Sequence, residues 1–359
     1  MNYKIDKTSK KTAYIQLYEQ IKKDITDGVY TYGAKLPSKR TLAEETGISV
    51  IPVEHAYFLL CDEGYAESRE RSGFFVIYKK SDFFTGYDGG DEIPTEREFH
   101  GVKSSIPFSV IAKKMRKVLS DKGERILQKS PDKGCIELRT AISSYLARSS
   151  GIQVKPEQVV VGSGAEYLYS MISQLLGKNV FAIEDPSYEK ISAVYKANGV
   201  RFEMLKMGKN GIKSRELEKT KATVLHVTPF NSYPSGISAD ASKKREYLSW
   251  AKEKNGYIIE DNYDSELTVS KKNDDTLFAL SNRKSVIYLN TFSNTVAPSI
   301  RTGYMLLPED LLQTFNEQLG FYSCTVPIFE QYVLSELISS GDFERHINRI
   351  RRIKRKSEK

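Results

Sequence analysis

Near the start of the chain, Ile15, Tyr18, Ile21 and Ile25 follow one another at intervals of three, three and four residues. That spacing predicts an amphipathic helix over residues 13–27, and Gly28 suits its stop. The connector that follows ends at Ser38, a residue type that caps helix N-termini. A short helix is expected over 39–46, with Leu42 and Ala43 facing inward. Gly47 supplies a turn, Ser49 stands where an N-cap belongs, and Val53, Ala56, Tyr57 and Leu60 mark the inner face of a third helix. Helix, short glycine turn, helix is the helix–turn–helix arrangement. Gly64 ends it, and residues 65–68 and 73–78 alternate as two strands of a wing around Arg69, Glu70, Arg71 and Ser72.

Residues 79–104 have no periodicity and contain Gly86, Gly89, Gly90 and Pro94, which reads as a linker. From Ile106 the pattern changes. Helical stretches at 108–119 and 136–148 lead into apolar strands at 158–162, 180–184, 201–205, 223–228, 257–260, 285–290 and 303–307, separated by amphipathic segments. Strands alternating with helices imply a mostly parallel sheet covered on both faces, an α/β fold whose ligands bind beyond the carboxyl ends of the strands. The expected organisation is a small α+β domain over 1–78, a linker, and a large α/β domain over 105–359.

With 359 residues and 40% apolar content, the chain has enough material for two globular domains. No apolar run approaches the roughly 18 residues that span a bilayer, and the start lacks a signal-peptide core, so a cytoplasmic location without membrane contact is expected. Cys61, Cys135 and Cys324 have no metal-ligand spacing and read as free, buried thiols. The net charge of +8 invites a nucleic-acid reading, yet eight of the basic residues fall in 345–359 against Glu358 alone. A terminal charge run is more often a solvated helix than a binding arm, so the case for DNA must come from a motif.

That motif is present. Leu36-Pro37-Ser38-Lys39-Arg40-Thr41-Leu42-Ala43, Gly64-Tyr65 and Arg71-Ser72-Gly73-Phe74-Phe75-Val76 occur in order, and the block resembles the winged helix–turn–helix of GntR regulators. The resemblance implies binding to double-stranded operator DNA as a homodimer. Ser38, Lys39 and Arg40 stand at a helix N-terminus, where backbone N–H groups and basic side chains can hold a phosphate. Arg69 and Arg71 on the wing are candidates for phosphate or minor-groove contacts. Ser49, Val50 and Ile51 open the recognition helix. Apolar groups there can touch thymine methyls but cannot form the bidentate hydrogen bonds that name a base. Weakened or altered sequence readout is therefore expected. Pro52 removes a donor that Ser49 would otherwise cap.

A second set of motifs fills the large domain. Thr291-Phe292-Ser293-Asn294-Thr295-Val296-Ala297-Pro298-Ser299-Ile300-Arg301-Thr302-Gly303-Tyr304 places two hydroxyls and a guanidinium around a turn, groups matched to a phosphate monoester. It resembles the cofactor-lysine segment of fold-type I, pyridoxal 5'-phosphate (PLP)-dependent aminotransferases, in the version found in MocR/GabR-type regulators of the GntR family. Asn294 stands at the lysine position, and an amide cannot form a Schiff base. Gly162-Ser163-Gly164-Ala165, Glu184-Asp185-Pro186-Ser187-Tyr188, Thr228-Pro229 through Gly236, and Glu260-Asp261-Asn262-Tyr263 match further family patches in order. The resemblance implies that Ser163, Gly164, Ala165, Thr291, Ser293 and Arg301 hold the phosphate. It also implies that Tyr188 stacks near the ring, Asp261 partners the pyridinium nitrogen and Tyr263 faces the phenolic oxygen.

In the family the chain continues past the segment matching 345–351, through most of a small domain. The large domain is thus expected to be truncated at that end, with the helix over 344–356 exposing apolar surface. Three readings follow. The first is a DNA-binding regulator with a degenerate, non-catalytic aminotransferase-like domain that takes PLP without a covalent bond, or an amino-acid effector. The second is an active PLP enzyme with a displaced lysine, for which Lys284 is nearest in sequence. The third is a DNA-binding remnant that senses no small molecule. No metal site is expected.

Overall fold

The computed structural model describes residues 3–6, 9, 11–70, 72–79, 106–263, 265–267, 275–282 and 284–357. Arg71 and the expected linker beyond Lys79 lie outside the described residues. The chain divides into two compact units, Met1–Arg97 and Glu98–Lys359.

In the first unit, helices α1 (Ala13–Thr26), α2 (Lys39–Thr46) and α3 (Val50–Asp62) precede strands β1 (Ala66–Arg69) and β2 (Gly73–Val76). The strands pair antiparallel, with Ala66 opposite Val76 and Arg69 opposite Gly73. The inner face of α1 is Leu17, Tyr18, Ile21 and Ile25. Ile15, expected in that stripe, is only half-buried, because Leu17 shares the row four residues before Ile21 and fills the face first. Tyr57 is buried, and its hydroxyl donates to the Pro37 carbonyl at 2.7 Å, tying α3 to the connector before α2. Ser38 caps α2, its Oγ accepting the Thr41 N–H at 3.1 Å, and Gly47 ends that helix at a left-handed φ of 66°. Ser49 occupies the N-cap position of α3 but makes no side-chain capping bond. The third residue of that helix is Pro52, which has no N–H to give.

The second unit begins with α4 (Phe108–Lys122) and α5 (Ile136–Ser150), then β3 (Val159–Gly162), α6 (Ala165–Leu176), β4 (Phe181–Asp185) and α7 (Glu189–Ala197). It continues with β5 (Phe202–Gly208), β6 (Gly211–Ile212), α8 (Ser214–Lys219), β7 (Val224–Val227), α9 (Ala241–Glu253), β8 (Tyr257–Asp261) and α10 (Leu277–Leu280). The remaining elements are β9 (Val286–Thr291), β10 (Gly303–Leu306), α11 (Glu309–Leu319), α12 (Ile328–Ser339) and α13 (Asp342–Ser357). One sheet runs in the order β3-β10-β9-β8-β7-β4-β5-β6. Its central strands β9, β8, β7, β4 and β5 are parallel, while β10 and the two-residue β6 run against their neighbours.

Each strand feeds two cores, because successive side chains leave a strand on opposite faces. Val286 and Tyr288 join the core packed with α5, α9, α12 and α13, whereas Ile287 and Leu289 join the one packed with α6, α7 and α11. The same alternation splits Val159 and Val161 from Val160. Polar groups with chemistry to do are thereby displaced to the strand ends.

The expected exposure of the last helix is corrected. Phe343, Ile347 and Ile350 of α13 are buried in the first of these cores, and the Phe343 ring meets Tyr145 and Phe292 edge-on. Arg351 Nε donates to the Glu266 carbonyl at 2.6 Å, and of the helix's apolar side chains only Ile353, at 58% exposure, faces outward. The cysteines are free, with Cys135 and Cys324 buried but Cys61 only partly so. Among the described residues no helix is long and apolar enough to cross a membrane. Phe343→Ala is expected to lower the stability of the larger unit by about 3–5 kcal/mol, measured by urea unfolding, whereas Ile353→Ser stays within about 0.5 kcal/mol.

Candidate functional site

A pocket of about 300 Å³ opens at the carboxyl edge of the sheet. Asp261, the last residue of β8, lies at its base and is 2% exposed. The Tyr169 hydroxyl of α6 donates to Asp261 Oδ2, and the Tyr263 N–H donates to Oδ1 at 3.1 Å. His226 of β7 places Nε2 at 3.7 Å from Oδ2, while its Nδ1 lies 2.6 Å from the Tyr195 hydroxyl. Burial first, and then the Asp261 charge, push the Tyr169 phenol well above its ordinary value, so it remains a donor. This carboxylate is oriented from several sides toward the open volume.

The walls come from neighbouring strand ends. Thr291 closes β9, and Ser293 and Asn294 follow it, with Arg301 just before β10. Because β10 is antiparallel, its beginning shares the edge at which β9 ends. Tyr188, Tyr233, Tyr263 and Ile191 form the apolar side, the Tyr188 and Tyr233 rings meeting edge-on at 6.1 Å. Asn294 Nδ2 donates to the Tyr263 carbonyl at 3.3 Å. Ser293 Oγ gives its proton to the Ile300 carbonyl at 2.9 Å. Ala165, the first residue of α6, lines the pocket. Gly164 lies beneath the Arg301 guanidinium, where an added Cβ would come within 2.9 Å of its nitrogen. Ser163 turns away and hydrogen-bonds Thr325 at 2.9 Å.

Five lining residues went unmarked as site residues in the sequence: Glu166, Tyr169, Ile191, Thr228 and Tyr233. Thr228 and Tyr233 stand inside the Thr228–Gly236 motif. Tyr169 falls on a helix face with nothing to mark it as polar in function. Glu166 directly follows the glycine-rich patch and forms the pocket's one internal ion-pair cluster among the described residues. Its Oε2 is 2.9 Å from Arg301 and its Oε1 is 2.6 Å from Lys190.

The loop carrying Thr228 and Tyr233 is held by a buried acid. Glu184 of β4 accepts the Thr228 N–H at 3.2 Å and the Ser232 hydroxyl at 2.6 Å. Burial nonetheless raises its carboxyl to about 7.

On the first unit, Arg40 and Ile51 are exposed, the latter at 63%, and Val50 stands beside it at the start of α3. Two other DNA candidates are tied to carboxylates of their own chain. Lys39 pairs with Glu54 at 2.5 Å, and Arg69 pairs with Glu67 at 2.7 Å while lying over the Phe75 ring. No cluster of three or more metal-ligating side chains occurs among the described residues.

One chain thus carries a winged helix–turn–helix unit and a separate α/β unit with a strand-end pocket, and comparison with known proteins gives the class of regulator that combines them. Residues 13–76 match the family described as Bacterial regulatory proteins, gntR family, and residues 98–359 match Aminotransferase class I and II. The chain is 35% identical over 357 residues to the uncharacterized HTH-type transcriptional regulator YdeL of Bacillus subtilis, covering 96% of this chain and 77% of that one. It is 26% identical to the probable rhizopine catabolism regulatory protein MocR of Rhizobium meliloti, covering 97% and 76%. Among solved structures, the α-aminoadipate aminotransferase LysN of Thermus thermophilus, complexed with N-(5'-phosphopyridoxyl)-L-leucine, aligns with a TM-score of 0.60 at 25% identity. That alignment covers 70% of this chain and 65% of LysN, so the chain spans just under two thirds of the enzyme's length. The chain belongs to the GntR-family transcriptional regulators that carry an aminotransferase class I and II domain, the MocR type.

Glu184 binds its proton more tightly in the folded state than in the unfolded one, where its value is 4.5. Its contribution to stability is therefore present at low pH and lost as pH rises from about 4.5 through about 7. Glu184→Gln is expected to flatten that decline in unfolding free energy, measured by urea titration across the window.

Proposed function

We propose that the protein is a DNA-binding transcriptional regulator, acting as a homodimer, whose aminotransferase-like unit does not catalyse and instead takes a small molecule reversibly. The observation that carries this reading is the side chain at the pocket wall beside Asp261. It is Asn294, an amide engaged with the Tyr263 carbonyl, and among the described lining residues none is a lysine. Transamination needs an amine that loses its proton, attacks the cofactor aldehyde and then shuttles protons. Asn294 can do none of these.

The donor set fits pyridoxal phosphate at one end only. Asp261, buried and held by Tyr169 and Tyr263, suits a protonated pyridine nitrogen. At the other end, Arg301 is already paired with Glu166. When bound, the cofactor would supply an electron sink, but among the described lining residues there is no lysine to move a proton beside it.

The displaced-lysine reading has little to support it. Lys284 precedes β9 and lines a separate cleft with Asn282 and Glu309, at the end of the strand opposite Thr291. Lys190 stands at the pocket's edge as the ion-pair partner of Glu166, which raises its pKa and keeps it a charged, non-nucleophilic ammonium.

For the head, exposed Arg40 beside the capped N-terminus of α2 supports phosphate contacts, and Val50 and Ile51 support an apolar approach to base edges. Bound to fragments from upstream of its own gene, the protein is expected to prefer at least one over bulk DNA. Affinity should fall as salt rises, and Arg40→Ala should reduce the salt slope by about one. Fluorescence anisotropy at several salt concentrations measures both, and equal affinity for every fragment would count against the reading. Borohydride reduction with pyridoxal should leave no adduct at the pocket of the wild type, while Asn294→Lys should be trapped there, as read by peptide mass mapping. A wild-type pocket adduct would overturn the non-catalytic assignment.

A further inference from the structure

We infer that Glu166 is an internal counter-anion which closes the phosphate-binding end of this pocket and makes it select a phosphate-free ligand. The inference rests on the reading of the pocket as a reversible ligand site and adds to it the class of ligand.

The geometry is specific. Glu166 is the second residue of α6, so its Cα is fixed in the first helical turn, next to Gly164 and Ala165, whose backbone would cradle a phosphate. Its carboxylate lies between the two nearby cations, 2.9 Å from Arg301 and 2.6 Å from Lys190. Partial burial pushes the Glu166 carboxyl up, but Lys190, a backbone N–H and Arg301 outweigh that and hold it below the usual range, so it is charged. The guanidinium it holds packs over Gly164 Cα, in the space before the helix N-terminus. Two hydroxyls assigned to the same task have acceptors or partners elsewhere, Ser293 on the Ile300 carbonyl and Ser163 on Thr325.

A dianionic phosphate entering here competes with the Glu166 carboxylate for Arg301, and the helix turn holds the backbone of that carboxylate close by. Like charges so placed oppose binding strongly. Nothing comparable opposes the other end, where Asp261 and the surrounding tyrosines receive a protonated heteroaromatic ring. The pocket therefore suits a neutral or cationic pyridine-type ligand lacking the ester.

The test titrates the full-length wild type, Glu166→Gln and Glu166→Ala with pyridoxine 5'-phosphate and with pyridoxine, by isothermal calorimetry. Neither probe has an aldehyde, so the chain's lysines cannot react with it. Both variants are expected to bind the phosphate ester on the order of tenfold or more tightly than the wild type, with pyridoxine affinity changed less than about threefold. Wild type should bind pyridoxine at least as well as its phosphate. If neither variant, with circular dichroism matching the wild type, binds the ester better than the wild type does, the inference is overturned. A wild type that prefers the ester overturns it equally. DNA affinity is measured on the same samples. Its loss would count against the regulator reading alone, while an unchanged ester affinity would count against Glu166 alone.

Discussion

A sheet buried on both faces leaves its side chains no freedom of role. In β9 the alternation of Val286 and Tyr288 with Ile287 and Leu289 commits every one of these residues to one core or the other. The chemistry of the larger unit is consequently confined to the strand ends, where Asp261, Thr291 and Thr228 meet the start of α6. The antiparallel β10 adds Arg301 to that edge because its beginning lies where β9 finishes. One acid inside the fold also serves this edge. Glu184 spends both carboxylate oxygens on the loop that carries Thr228 and Tyr233.

Much of this was legible in the sequence. All seven long strands were readable from apolar runs bounded by turns, and the glycine-rich, Asp261 and Arg301 motifs converge as their order implied. The two-residue β6 carries too short a run to register. The misreadings share a cause: they depend on partners distant along the chain. Whether α13 is exposed depends on Tyr145 and Phe292, residues far removed from Phe343 in sequence. Lys39 meets Glu54 of the next helix and Arg69 meets Glu67 on its own strand, and both remain candidates for DNA. Glu166 stands in a first helical turn, where an acid is favourable to the helix dipole, and folding places Arg301 and Lys190 against it. Tyr169 carried no signal, because its partner Asp261 lies on another element.

The same charge pattern recurs in both units. Basic side chains that a sequence reader would assign to a phosphate are matched by carboxylates of the chain itself, Glu166 in the pocket and Glu54 and Glu67 on the head. Such exposed or half-exposed pairs add little to stability. Their effect is on competition: an incoming anion exchanges one partner for another, so the net electrostatic gain is smaller than a count of cations suggests.

The start of α3 is the exception to this self-matching. Ser49 makes no capping bond, and Pro52 offers it nothing to cap. The amide hydrogens of Val50 and Ile51 thus face outward without an acceptor inside the helix. An uncapped helix tip is a standing vacancy for an oxygen atom, and here it is flanked by greasy side chains that shed water readily. The tip of α3 thus keeps main-chain donors that no side chain of its own N-cap occupies.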